Sequence, residues 1–388
     1  VFLVLCINGI FPLTQKELGV GLDTVAFIEN HYIAERGLSP EKTVDFLQKN
    51  YLDRGKLGTK SAKGGLYPPT EVKPAATNGN LNESKILVLD VGLSAAVPSM
   101  HSGEILQLSL DGKTQKVLVR DQSLPDGLDI DRESGRMFWT NMGIPGKNDG
   151  TVYSANVDGS DIRAIVPPGS INTPKQLVVE SSEKKIYFCD REGLSVFRCN
   201  FDGSDLELLI QTGDFEKPED REDISKYCVG IAVAPKLGKF YWTQKGPSKG
   251  NKGRIFCANI ATPAGQSAQS RDDIVCLLKD LPEAIDLEVD EETNILYWTD
   301  RGEIPFGNSL NRAQLNGAGL LEKPASSGGY EILTRHLKEA IGLKLDTKNN
   351  RIYLTDLGGN IYQCDLNGKN KTVIHSDDYR AFTGINLL

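Results

Sequence analysis

No stretch of this 388-residue chain is apolar over the roughly 20 residues that a membrane-spanning helix needs, so a soluble protein is expected. Positive charge is in deficit. Lys and Arg total 44 against 52 Asp and Glu, and the net charge of -8 argues against a polyanion partner such as nucleic acid. The seven cysteines, Cys6, Cys189, Cys199, Cys228, Cys257, Cys276 and Cys364, never fall in Cys-x-x-Cys spacing, which speaks against structural zinc. Most sit in strand-like text such as VFRCNF and IYQCDL and are expected to be small buried hydrophobes. The single Gly-x-Ser-x-Gly string, Gly246 to Gly250, falls in a loop between strand-like segments rather than on a strand-to-helix turn, so no nucleophile elbow is expected. The apolar segment Val1 to Leu13 reads equally as the core of a secretion signal, though without a basic start, or as a first packed helix. Two glycosylation-type triplets, at Asn82 and Asn370, leave the compartment open between cytoplasm and secretory pathway.

What is present is a repeat. An apolar run, a polar turn and then aromatic, aromatic or aliphatic, Thr, Asp recurs, in phrases ending at Asn141, Asp190, Gln244, Asp300 and Asp356. Trp139, Trp242 and Trp298 share one position of it. Each phrase is followed by a loop, a strand, a tight turn and a further strand, so each unit is a four-stranded antiparallel meander. Asp111-Gly112, Asp158-Gly159, Asp202-Gly203, Asn316-Gly317 and Asn367-Gly368 are expected to form two-residue hairpin turns with positive φ. An incomplete first copy, KILVLD, ends at Asp90 and lacks an inner strand, whereas the C-terminal FTGINLL has the inner-strand pattern. The expected fold is an all-β six-bladed β-propeller, its C-terminal strand closing blade one, with a small N-terminal α-helical segment.

Residues 84–388 resemble the Tyr-Trp-Thr-Asp repeats of low-density-lipoprotein-receptor class B. The motif is intact at Tyr297 to Asp300 and nearly so at Tyr353 to Asp356, while Asn141 and Gln244 replace its Asp. In that family the motif Asp ties blades together through backbone hydrogen bonds, which implies a structural role for Asp190, Asp300 and Asp356.

Residues 1–67 carry another signal. Leu18, Leu22, Val25, Ile28, Tyr32 and Ile33 recur at helical spacing, and Ser39-Pro40-Glu41 has the form of a helix start. Gly21-Leu22-Asp23-Thr24 and Gly55-Lys56-Leu57-Gly58-Thr59-Lys60-Ser61 resemble the C-terminal helical domain of the 3-hydroxyacyl-CoA dehydrogenase family. That activity needs a dinucleotide-binding βαβ unit and a His paired with an acidic residue, and neither precedes this segment, so it is not expected here. Packing against the propeller, dimerisation and covering one mouth of the channel stay open as its roles. Residues 68–83 read as a polar linker.

Long loops follow the motifs of blades one, two, four and five, and short ones (REG, LGG) those of blades three and six. Long loops on one face of a rigid scaffold commonly carry function, and these are expected to shape a groove over the axial channel. Its floor is expected to include Asp126, Lys175, Gln176, Tyr227, Glu339, Phe382 and Thr383 as substrate-binding residues. His101, His336, Glu283 and Lys338 are the candidates for proton transfer or polarisation, set against the plainer reading of solvated loop and rim residues. A calcium site would need more converging oxygens than Asp126 and Glu283 supply, so neither metal nor cofactor is expected.

The fusion of a dehydrogenase-like segment to this propeller resembles, in overall make-up, the fungal propeller-type hetero-Diels-Alderases. The resemblance implies an intermolecular hetero-Diels-Alder cyclase of secondary metabolism, taking a reactive heterodiene and a terpenoid alkene. Two other readings stay open: a protein-binding propeller and a propeller hydrolase or lactonase.

Overall fold

A computed structural model of the chain describes residues 26, 40, 44–56, 84–324 and 329–388. The chain divides into two units, Val1–Ala76 and Thr77–Leu388. In the first, a short α-helix spans Val44–Asn50 and a 3-10 turn spans Leu52–Arg54, stopped by Gly55 at φ 66. Val44 and Leu47 are buried, and Gln48 donates to Asp53 Oδ1 at 2.6 Å. The helical spacing expected from Leu18 to Ile33, most of the dehydrogenase-like text and the linker lie outside the described residues. No helix among the described residues is long and apolar enough to cross a membrane.

The second unit is a six-bladed propeller of four-stranded antiparallel sheets. Blade one takes its inner strand from the C-terminus: Phe382–Leu387 pairs with Lys85–Asp90, followed by Gly103–Ser109 and Gln115–Gln122. The inner strands of blades two to six are Pro125–Asp131, Pro174–Glu180, Cys228–Ala234, Ala284–Asp290 and Ala340–Asp346. These six inner strands neighbour one another around the axis, so the ring closes where the two ends of the propeller segment meet.

The paired aromatics of the repeat explain how the sheets stack. Successive strand residues point to opposite faces, so two adjacent large side chains serve two different interfaces. Trp139 packs toward blade one and Phe138 toward blade three. Trp298 packs toward blade four and Tyr297 toward blade six. A hydrophobic cluster fills each of the six interfaces in this way, and the three tryptophans are at most 1% exposed. Burial of each such side chain contributes about 2 to 3 kcal/mol.

The motif Thr supplies the tie between neighbouring sheets. Thr140 Oγ1 accepts from Gly127 N at 2.9 Å and donates to Lys175 O of the next blade at 2.7 Å. Thr243, Thr299 and Thr355 repeat this from blades four, five and six. In blade three the position is Cys189, whose thiol donates to Gly230 O at 3.2 Å. That cysteine therefore replaces a hydroxyl rather than a hydrophobe, and Cys276 departs from the expected burial altogether because it is exposed. The motif Asp works within its own blade. Asp190 accepts from Asn172 N and Thr173 N, and Asp300 from Glu283 N and Gly302 N, pinning the incoming connector and the outgoing loop at one corner.

The hairpin turns are wider than the two-residue form expected. Asn156 N donates to Ser160 O and Gly159 N to Asn156 O, which encloses three residues with only the glycine at positive φ, 89. In the turn at Asn316 the positive-φ glycine is Gly319, not Gly317.

Candidate functional site

Every inner strand carries the same irregularity. Between Pro125↔Asn141 and Leu128↔Trp139 the inner strand advances three residues while its partner advances two, and the other five blades do likewise. This bulge decides which residue stands at the axis near the loop face. The residue following the motif-paired one gives a ring of Asp126, Lys175, Val229, Ile285, Ile341 and Thr383. Of these, Val229, Ile285 and Ile341 form an apolar cluster with Leu357. The residue after each motif gives a second ring: Val91, Met142, Arg191, Lys245, Arg301 and Leu357. Its members from blades one, two and six are apolar, and Val91 and Met142 cluster with Ala381, Leu124 and Leu357. The members from blades three, four and five are cationic.

The cations are held by fixed carboxylates. Lys175 Nζ lies 2.5 Å from Asp126 Oδ1 and 3.2 Å from Met142 Sδ, and Gln176 Nε2 donates to Asp126 Oδ2 at 3.1 Å. Burial lowers the Lys175 amine to about 8; Asp126 opposes that shift, while the positive charges of Arg191 and Arg301 add to it. Glu283 is 0% exposed and accepts from Lys245 Nζ at 3.1 Å, Arg301 Nη2 at 2.5 Å, Ser248 Oγ at 3.1 Å and Lys249 N at 3.1 Å. Burial alone would raise its carboxyl, but the hydrogen bond and charge of Arg301, together with Lys245, hold it below the usual range. Glu283 is thus an ionised anchor for two cations, a poor match to proton transfer. Glu339, half-buried, pairs with Lys249 at 3.2 Å and Arg301 at 3.5 Å.

The other sequence-derived candidates scatter. Phe382 does not reach the channel mouth: it is 0% exposed, in the core between blades one and six, because it is the ladder partner of Asp90. Tyr227 precedes its strand and spends its hydroxyl on Arg221 O at 3.0 Å. Thr383 stands at the axis but is buried, donating to Pro125 O at 3.0 Å. His336 and Lys338 are exposed on the connector into blade six. His101, also exposed, places Nδ1 2.8 Å from Ser123 Oγ. It lines a cleft of about 500 Å³ in the long loop of blade one, with Ser99, Glu104, Arg120, Tyr379 and Arg380. Below the mouth the axial channel narrows to a polar cavity of about 20 Å³ beside Asp129, Asp286, Glu288 and Lys344, room for about one water. Sequence reasoning missed Met142, Arg191, Lys245, Arg301 and the apolar axial trio. The residue directly after each motif was the available signal for the first four.

No protein-family model matches the chain. The 3-hydroxyacyl-CoA dehydrogenase-like protein LAM1 of Cochliobolus heterostrophus is 47% identical over 370 residues, covering 95% of this chain and 77% of that protein. The chain belongs to the LAM1 family. Its relative's description carries the dehydrogenase likeness noted in the N-terminal text. Low-density lipoprotein receptor-related protein 1 of Pyricularia oryzae is 42% identical over 297 residues, covering 76% of this chain and 94% of that protein. A chain of the nidogen/laminin complex matches 78% of this LAM1-family chain and 98% of its own length, with a TM-score of 0.58 and 17% identity, a likeness of fold.

Proposed function

We propose that this LAM1-family chain is a small-molecule enzyme of natural-product biosynthesis, working on the loop face at the head of the axial channel. The reaction we favour is an intermolecular hetero-Diels-Alder cyclisation of a heterodiene with a terpenoid alkene. The observation that carries this reading is the division of the ring after the motifs. Arg191, Lys245 and Arg301 offer N–H donors on one side, and Val91, Met142 and Leu357 offer an apolar wall on the other.

A cycloaddition forms its new bonds between substrate atoms. The protein contributes by holding the two partners in reacting geometry and by hydrogen-bonding the heteroatom where negative charge grows. Donors already fixed by carboxylates need little reorganisation when that charge develops, and a hydrocarbon alkene gains by leaving water for the apolar arc. His101 and the blade-one cleft lie on the same face, where the body of a substrate has room.

The test is turnover of the full chain with a reactive heterodiene and a terpenoid alkene, read as rate and stereochemistry of the adduct. One dominant stereoisomer, formed faster than in buffer, is expected. Arg191→Met and Met142→Gln are each expected to lower kcat/KM about tenfold, the loss of one charge-assisted bond or one apolar contact. Equal rates and mixed stereochemistry with and without protein remove the reading, and tight binding without turnover favours a binding module.

A further inference from the structure

Lys175 differs from the other cations at the channel mouth. Arg301 reaches Glu283, Glu339 and Ser248, Lys245 reaches Glu283 and Gly246 O, and Arg191 reaches Glu192 through two nitrogens. Lys175 Nζ has one carboxylate oxygen, Asp126 Oδ1, and beside it the Met142 thioether, a weak acceptor. An ammonium carries three N–H groups, so this setting solvates the charged form poorly. The groups facing the amine are Asp126 from blade two and, as further positive charges, Arg191 of its own blade and Arg301 of blade five. Asp126 is held in place by Gln176, and the backbone under Lys175 is held by Thr140. Its side chain retains 11% exposure at a mouth whose far side is the apolar trio Val229, Ile285 and Ile341.

We propose that Lys175 is a reactive amine that captures an aldehyde or activated ketone at the channel mouth as a reversible imine. The proposal does not depend on the cycloaddition and would outlast its failure. Asp126 takes one ammonium proton, the freed lone pair adds to the carbonyl carbon, and a second nitrogen proton passes to the oxygen to make a hydroxyl. Asp126 then returns its proton as that hydroxyl leaves as water, so ammonium and carbonyl give protonated imine and water with no change of oxidation state. Burial lowers this amine below the range of an exposed lysine, so more of it is neutral at pH 8.

The probe is benzaldehyde with sodium cyanoborohydride at pH 8, using the full chain with its fold checked by circular dichroism and reading benzylated lysines by peptide mass. Lys175 is expected to label at least tenfold faster than the exposed Lys113 and Lys348. Its rate should fall as pH drops below about 8, and Asp126→Asn, which removes the charge favouring ammonium, should move that midpoint down. Labelling of Lys175 no faster than Lys113 and Lys348 in the folded wild-type chain overturns the proposal, whatever the variants do. A midpoint unmoved in folded Asp126→Asn removes Asp126 from it.

Discussion

At the scale of single residues, the hydroxyl of the motif Thr is worth more than its size. Thr299 Oγ1 joins Asp286 N at 3.1 Å to Ile341 O at 2.6 Å across a blade boundary. Thr299→Val keeps the shape and strands a buried donor and acceptor, so a loss of about 2 to 3 kcal/mol is expected from urea unfolding. Thr299→Ser should lose less than half of that. The motif Asp predicts a pH dependence. Burial drives Asp300 up to about 7, against the hydrogen bonds from Gly302 N and Glu283 N, while an unfolded Asp titrates near 3.9. Between those values the folded state binds more protons than the unfolded one, so this group's contribution to stability falls as pH rises from about 4 to about 7. Asn needs no proton, and blade two already carries Asn141 at this position. Asp300→Asn is therefore expected to gain on wild type in urea midpoint between pH 5 and pH 8; a constant difference would refute the argument.

Among the elements, turns and inner strands show what a pattern conveys and what it leaves out. The Asp-Gly signals correctly mark where hairpins turn, yet the width of each turn follows from the pairing on either side, which local text does not state. Space around the turn glycines is equally nonlocal. A Cβ at Gly203, φ 83, would lie 1.8 Å from Ile165 O of the neighbouring blade, whereas at Gly135, φ 66, it would meet nothing within 4 Å. Gly203→Ala is expected to cost more than about 2 kcal/mol and Gly135→Ala about 1, by thermal or urea unfolding. Comparable costs would mean the neighbouring blade yields freely.

For the whole molecule, closure of the ring rests on one strand contributed from the far end of the chain. Phe382, Ile385 and Leu387 fill the interface of blades six and one, and Thr383 O accepts the strap from Thr355. Removing residues 382–388 would leave blade one without its inner strand and expose two sheet faces. Loss of the cooperative unfolding transition and association on gel filtration are expected. A truncated chain that unfolds cooperatively at the wild-type midpoint would contradict a closed ring.

The sequence by itself determined the number of blades, their order and the strand that closes them, because each blade repeats one phrase whose aromatic pair must serve two interfaces. It also placed Asp126, Lys175 and the long loops on one face. Only the tertiary structure decided which residues of the other blades meet them. One extra residue bulged into every inner strand shifts the alternation by one, putting Val229, Ile285 and Ile341 at the axis and leaving Phe382 in the core and Tyr227 short of the strand. The cationic half of the mouth arises in the same way. Arg191, Lys245 and Arg301 stand far apart in the chain and become neighbours because the blades close a ring.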